Sequence, residues 1–64
     1  MKNNIKVLRK QMGMRQEDIA TALDVTRQTI NAIENEKYNP TLELAMKLAK
    51  LLNTTVEALF ILNS

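Results

Sequence analysis

Sixty-four residues predict a single domain, spanning residues 1–64, without a second core. The absence of cysteine and histidine excludes disulfides, a zinc site of nitrogen and sulfur ligands, and a histidine general base. Nine Lys and Arg against seven Asp and Glu leave a charge of +2, which permits nucleic acid as a partner without demanding it.

Other function classes fall away on the same arithmetic. Tyr38 and Phe60 are the only aromatics, too few for a platform that stacks single strands. No triad or paired-acid constellation is visible, so no enzyme and no cofactor is expected. The apolar runs are too short to span a bilayer, and Met1 to Arg9 lacks the apolar stretch of a signal peptide. The expectation is a cytoplasmic protein with no membrane partner. A chain this small buries only about 60% of its unfolded surface. With neither disulfide nor metal to staple it, self-association as a homodimer is the remaining support.

One Gly, one Pro and abundant Leu, Ile, Ala, Lys and Glu predict an all-α domain. Ile5, Leu8 and Met12 recur at helical spacing, so residues 4–12 read as a first helix closed by Gly13. A second helix runs over 16–23, with Ile19, Ala20 and Leu23 on one face and Glu17 and Asp18 in its first turn. The break falls at Asp24-Val25, and Thr26 caps a third helix over 27–34. Asn35 to Pro40 is a polar loop. Thr41 caps a fourth helix over 42–52. Thr54 or Thr55 caps a short fifth over 56–60, and Thr54 with Glu57 fits a capping box. The tail Phe60-Ile61-Leu62 is apolar and reads equally as strand or frayed helix.

The third helix carries the chemistry. At about 100° per residue, Ile30 and Ile33 fall together on the core side. Arg27, Gln28, Asn31 and Ala32 fall opposite. A guanidinium pairs bidentately with guanine, a carboxamide with adenine, and a methyl touches thymine, so this face suits the major groove. The same residues also make an ordinary solvated surface. Two short helices joined by a tight break, with Ala20 at their close approach, form a helix-turn-helix pattern. Its second helix presents Thr26 to Gln28 at its N-terminal end. Gln16 starts the preceding helix, where free N–H groups hold a phosphate.

Three runs now coincide: Met12 to Ala20 (MGMRQEDIA), Val25 to Glu34 (VTRQTINAIE) and Asn39 to Leu42 (NPTL). In order and spacing, over roughly the whole chain, they resemble the Cro/C1-type helix-turn-helix family. That resemblance implies a compact five-helix, lambda-repressor-like bundle that binds operator DNA as a dimer. In some short members the chain termini pair as a small two-stranded β extension, here residues 2–4 with 60–62. By position, Gln16 matches a phosphate-binding glutamine. Thr26, Arg27 and Gln28 match the start of the recognition helix, with Asn31 and Ala32 refining base choice. Asn35 and Lys37 match phosphate contacts, and Arg15, Thr29, Tyr38 and Asn39 lie where they join them. Arg9 and Glu34 match an ion pair between the first and third helices, as their positions beside the apolar arcs also suggest. Substitution of Gln16 is expected to weaken binding without altering sequence preference.

Three residues depart from the family pattern. Arg15 stands where a serine usually caps the second helix, an expected loss of about 1 kcal/mol. Asp24 and Glu36 occupy positions where glycine is frequent. The fourth helix is apolar over more than half its circumference, which fits either a centrally packed helix or a dimer interface. The interface expected from this surface and the apolar tail comprises Leu51, Leu59, Phe60, Ile61 and Leu62. Met12, Met14 and Met46 read as core or interface filler. The function expected is a homodimeric repressor on a palindromic operator in double-stranded DNA. The alternative is a protein-interaction module, such as an antitoxin, with a protein partner.

Overall fold

The computed structural model describes residues 1–62; the last two residues of the expected 1–64 domain lie outside the described residues. Five helices are framed by two short strands: β1 (Lys2–Asn3), α1 (Ile5–Gln11), α2 (Gln16–Leu23), α3 (Arg27–Glu34), α4 (Leu42–Leu51), α5 (Val56–Leu59) and β2 (Phe60–Ile61). The strands pair antiparallel, Lys2 opposite Ile61 and Asn3 opposite Phe60. The terminal extension is therefore present but shorter than 2–4 with 60–62. Asn4 leaves the sheet to become the N-cap of α1, its N–H donating to Leu59 O at 2.9 Å.

α1, α2, α3 and α4 all stop by the same device. One residue adopts the left-handed conformation, and the two N–H groups at and after it bond back to carbonyls of the last turn. The left-handed residues are Gly13 (φ 70°), Asp24 (φ 57°), Glu36 (φ 63°) and Asn53 (φ 56°). The longer back-bonds are Met14 to Arg9 O, Val25 to Ala20 O, Lys37 to Ala32 O and Thr54 to Ala49 O, all between 2.8 and 3.0 Å. These are Schellman closures, which satisfy carbonyls the helix leaves unpaired. Only the first uses glycine. Asp24, Glu36 and Asn53 hold the same geometry at the steric cost of a Cβ in this region.

Helix starts are chemically similar. Thr26, Thr41 and Thr55 each accept an N–H three residues on, from Thr29, Leu44 and Ala58. Thr55, not Thr54, caps α5, so the box expected between Thr54 and Glu57 does not form. α2 has no such acceptor, because Arg15 carries only donors. Instead the Asp18 carboxylate accepts the Arg15 N–H at 2.8 Å. That half of a capping box offsets part of the expected loss.

Ile5, Ile19, Ala20, Ile30, Ile33, Leu48, Ala49, Leu52 and Leu59 form one buried cluster, to which α1 to α5 all contribute. Met14 packs against it, whereas Met12 and Met46 are about half exposed. Leu59 is corrected as an interface residue: it is 0% exposed in the single chain, so it has no surface to offer a second copy. Phe60 and Leu51 also pack on the core, partly buried; Ile61 and Leu62 remain exposed.

Candidate nucleic-acid interface

α3 is held from behind. Ile30 and Ile33 are 0% and 1% exposed, and α2 packs against α3 with Ala20 in the same buried cluster. The opposite face is open: Thr26, Arg27, Gln28 and Asn31 are exposed, while Ala32 is half-buried at the edge. Gln16 comes up from the first turn of α2 and, with Arg27, Gln28 and Asn31, lines one polar notch. Eight residues make α3 about 12 Å long, and an α-helix of about 10–12 Å diameter fits a major groove about 12 Å wide.

The end of this face is anchored by an ion pair. Arg9 donates from Nε to Glu34 Oε2 at 2.6 Å and from Nη2 to Glu34 Oε1 at 3.1 Å. Arg9 Nη1 also donates to Met14 O at 3.3 Å, just after the turn that closes α1. Both side chains are nearly buried, 11% and 4% exposed. The hydrogen bond to Glu34 raises the Arg9 pKa further above its ordinary value, against the opposing effect of burial. The pair joins α1, α3 and the loop before α2, so it sets where α3 sits.

Polar residues that spacing alone did not connect are brought together here. Gln16 Nε2 donates to Glu34 Oε1 at 3.2 Å, and Asn31 Nδ2 donates to Gln16 Oε1 at 3.4 Å. Asn35 Nδ2 donates to Asn31 Oδ1 at 3.1 Å and to Asn31 O at 3.0 Å. Asn3, from β1, donates to Ile33 O at 2.9 Å and ties the terminal sheet to the end of α3. Asn3 carried no signal in the sequence, because its partner is a backbone carbonyl thirty residues away.

The remaining expected residues are distributed around α3. Thr26 and Thr29 share a hydroxyl contact of 2.9 Å, and Thr26 Oγ1 also caps the helix. Arg15 is exposed but turned along its own helix start, donating to Asp18 at 3.4 Å from Nε and Nη2. The Arg15 N–H, and then its guanidinium, hold the Asp18 carboxyl below its ordinary pKa. Asn35, Lys37, Tyr38 and Asn39 all lie exposed at and beyond the C-terminal end of α3. Glu36 sits among them, exposed and left-handed.

A second surface is apolar. Leu42 is 72% exposed and Met46 54%, one turn apart on α4. Leu42 also borders a shallow depression with Met1, Pro40 and Phe60. Among the described residues no helix is long and apolar enough to cross a membrane, and no acidic cluster could hold a metal.

A capped helix pair with a buried rear face and a guanidinium and carboxamides in front defines a helix-turn-helix protein of DNA-binding type. The comparisons agree: the helix-turn-helix family model matches residues 5–59. The chain is 49% identical over 61 residues to an uncharacterized HTH-type transcriptional regulator of Methanocaldococcus jannaschii, covering 95% of this chain and 92% of that one. It is 44% identical over 61 residues to one from Archaeoglobus fulgidus, covering 95% and 87%. It is 44% identical over 60 residues to the uncharacterized HTH-type transcriptional regulator YgzD of Bacillus subtilis, covering 94% and 91%. The chain belongs to the Cro/C1-type helix-turn-helix family, and its function is DNA binding in transcription regulation.

Proposed function

We propose that this protein is a homodimeric repressor acting in the cytoplasm on a palindromic operator. One observation carries the reading: Arg27, Gln28 and Asn31 stand exposed on a helix whose other face is locked into the core. Arg27 and Gln28 read bases, with Thr26, Asn31 and Ala32 refining the choice. Arg15, Gln16, Thr29, Asn35, Lys37, Tyr38 and Asn39 hold phosphates and set the register. Repression follows from steric overlap with polymerase.

Dimension and surface support the dimer. One chain measures 32 × 20 × 19 Å and has one recognition helix. Successive major grooves on one DNA face are about 34 Å apart, so reading two half-sites takes two copies. The exposed Leu42, Met46, Ile61 and Leu62, with the partly buried Leu51 and Phe60, supply apolar surface for an isologous contact.

The test is binding to duplex from upstream of the protein's own gene, against a scrambled duplex, across a salt series. Tight, sequence-dependent binding that weakens with salt supports the reading, and the slope counts phosphates neutralised. Equal, weak binding to both, with a stable complex to a host protein instead, favours an interaction module of antitoxin type. Sedimentation of the free protein and of the complex reports one or two copies.

A further inference from the structure

The hydrogen bonds from Asn35 through Asn31 and Gln16 to Glu34 form a single directed chain along the reading face, and the direction is set at its ends. Glu34 accepts two bonds from Arg9, and an ionised carboxylate has no proton to give. The Gln16 carboxamide must therefore turn its Nε2 toward Glu34. That leaves Oε1 facing α3, where only a donor can meet it, so Asn31 presents Nδ2. Its Oδ1 then faces away and meets Asn35 Nδ2, which is held independently by the carbonyl of Asn31. Glu34 at one end can only accept and the Asn35 Nδ2 at the other donates, so the Gln16 and Asn31 amides between them both donate toward Glu34. A carboxamide that is free to flip offers its donor and acceptor in either order; this one offers a single order.

We propose that Glu34 and Gln16 are positioning residues for base preference: through Gln16, the Glu34 carboxylate fixes the order in which the Asn31 carboxamide presents donor and acceptor to DNA. The valence count leaves Asn31 what bidentate pairing with adenine needs. One Nδ2 proton and one Oδ1 lone pair remain uncommitted, on the two polar atoms of one exposed carboxamide. Gln16 likewise keeps one Nε2 proton for a phosphate. The same side chain thus holds the backbone and aims the base reader, and binding the phosphate completes the pair without releasing Asn31. Gln16 acquires an effect on sequence preference that its position at the start of α2 did not suggest. The inference rests on the assignment of Asn31 as a base-reading side chain.

The test uses the full chain with Gln16→Met, Asn31→Ala and the double substitution, each leaving the Arg9–Glu34 pair in place. Randomised duplex DNA is selected with each variant, giving the preference at every base pair, and side-chain amide exchange of Asn31 is followed by NMR without DNA. Asn31→Ala is expected to lower preference at one base pair about tenfold. Gln16→Met should relax that same base pair in addition to weakening binding overall, and should speed Asn31 amide exchange in the free protein. The double variant should show no further loss at that base pair. Gln16→Met weakening every duplex by one common factor overturns the proposal, as does unchanged Asn31 exchange. Asn31→Ala leaving all preferences intact overturns the assignment of Asn31 itself, and the proposal with it.

Discussion

Arg9 and Glu34 meet through two hydrogen bonds, of 2.6 and 3.1 Å, across 25 residues of sequence. The contact is fork to fork, nearly buried, and also shares its Glu34 oxygen with Gln16. An ion pair so placed positions helices more surely than it stabilises them, because desolvation opposes the attraction.

Removing one partner should therefore be worse than removing both. Glu34→Ala leaves a nearly buried guanidinium without its acceptor and is expected to cost about 2–4 kcal/mol. Arg9→Met with Glu34→Leu should recover most of that. Urea denaturation of the three proteins checks the order, and a double variant less stable than Glu34→Ala contradicts it.

Acid should loosen the start of α2. Bonds from Arg15 hold the Asp18 carboxyl below its ordinary pKa. A depressed folded-state pKa contributes stability above the unfolded value, about 3.9, and loses it as pH falls through the folded value. The stability gap between the wild type and Asp18→Ala is thus expected to be constant near neutral pH and to close at lower pH. Thermal melts from pH 7 down to about 2 measure it; a gap that widens in acid has the wrong sign.

Glu36→Gly should improve two properties at once. Relief of the left-handed Cβ strain at φ 63° outweighs the extra freedom of the unfolded chain, for a net gain of roughly 0.5–1 kcal/mol. It also removes a negative charge between Asn35 and Lys37, so affinity for duplex should rise most at low salt. A loss of stability would show that Glu36 makes a compensating contact.

Two apolar substitutions should separate core from interface. Leu59→Ala empties a fully buried site and is expected to cost about 2–5 kcal/mol in the folded chain itself. Met46→Glu lies on a half-exposed site, so it should change monomer stability by less than about 0.5 kcal/mol. Sedimentation should then show Met46→Glu as a monomer at concentrations where the wild type is a dimer. An unchanged dimer moves the interface away from α4.

Arg27→Ala and Lys37→Ala should fail differently. The first is expected to lose about 1–3 kcal/mol and relax one base position. The second should weaken all duplexes about equally and reduce the salt slope by about one. A uniform loss for Arg27→Ala would make it a phosphate contact.

Much of this molecule is written locally. Threonine before a helix, the spacing of Ile30 and Ile33, and Gly13 after α1 act within one or two turns, so capping and periodicity located α2 and α3 at their observed bounds. Asp24 and Glu36 stand where the family pattern often has glycine, and both are left-handed in the structure, as a Schellman closure requires. The candidate base readers Arg27, Gln28 and Asn31 follow from the wheel, because a helix with one face in the core must show the other.

Burial and partner choice between distant segments were decided only by the tertiary structure. Leu59 and Leu62 are both leucines in one apolar tail, yet one is 0% exposed and the other 76%, since the switch from helix to strand turns them apart. Leu42 and Met46 look like core residues until α4 is docked by Leu48, Ala49 and Leu52 and leaves them outside. The orientation of Asn31 depends on a carboxylate, a glutamine and an asparagine from two helices and the loop beyond α3. Periodicity reports which face a side chain occupies. Which atom of an amide points where is settled by the donors and acceptors around it, and those meet only after the chain has folded.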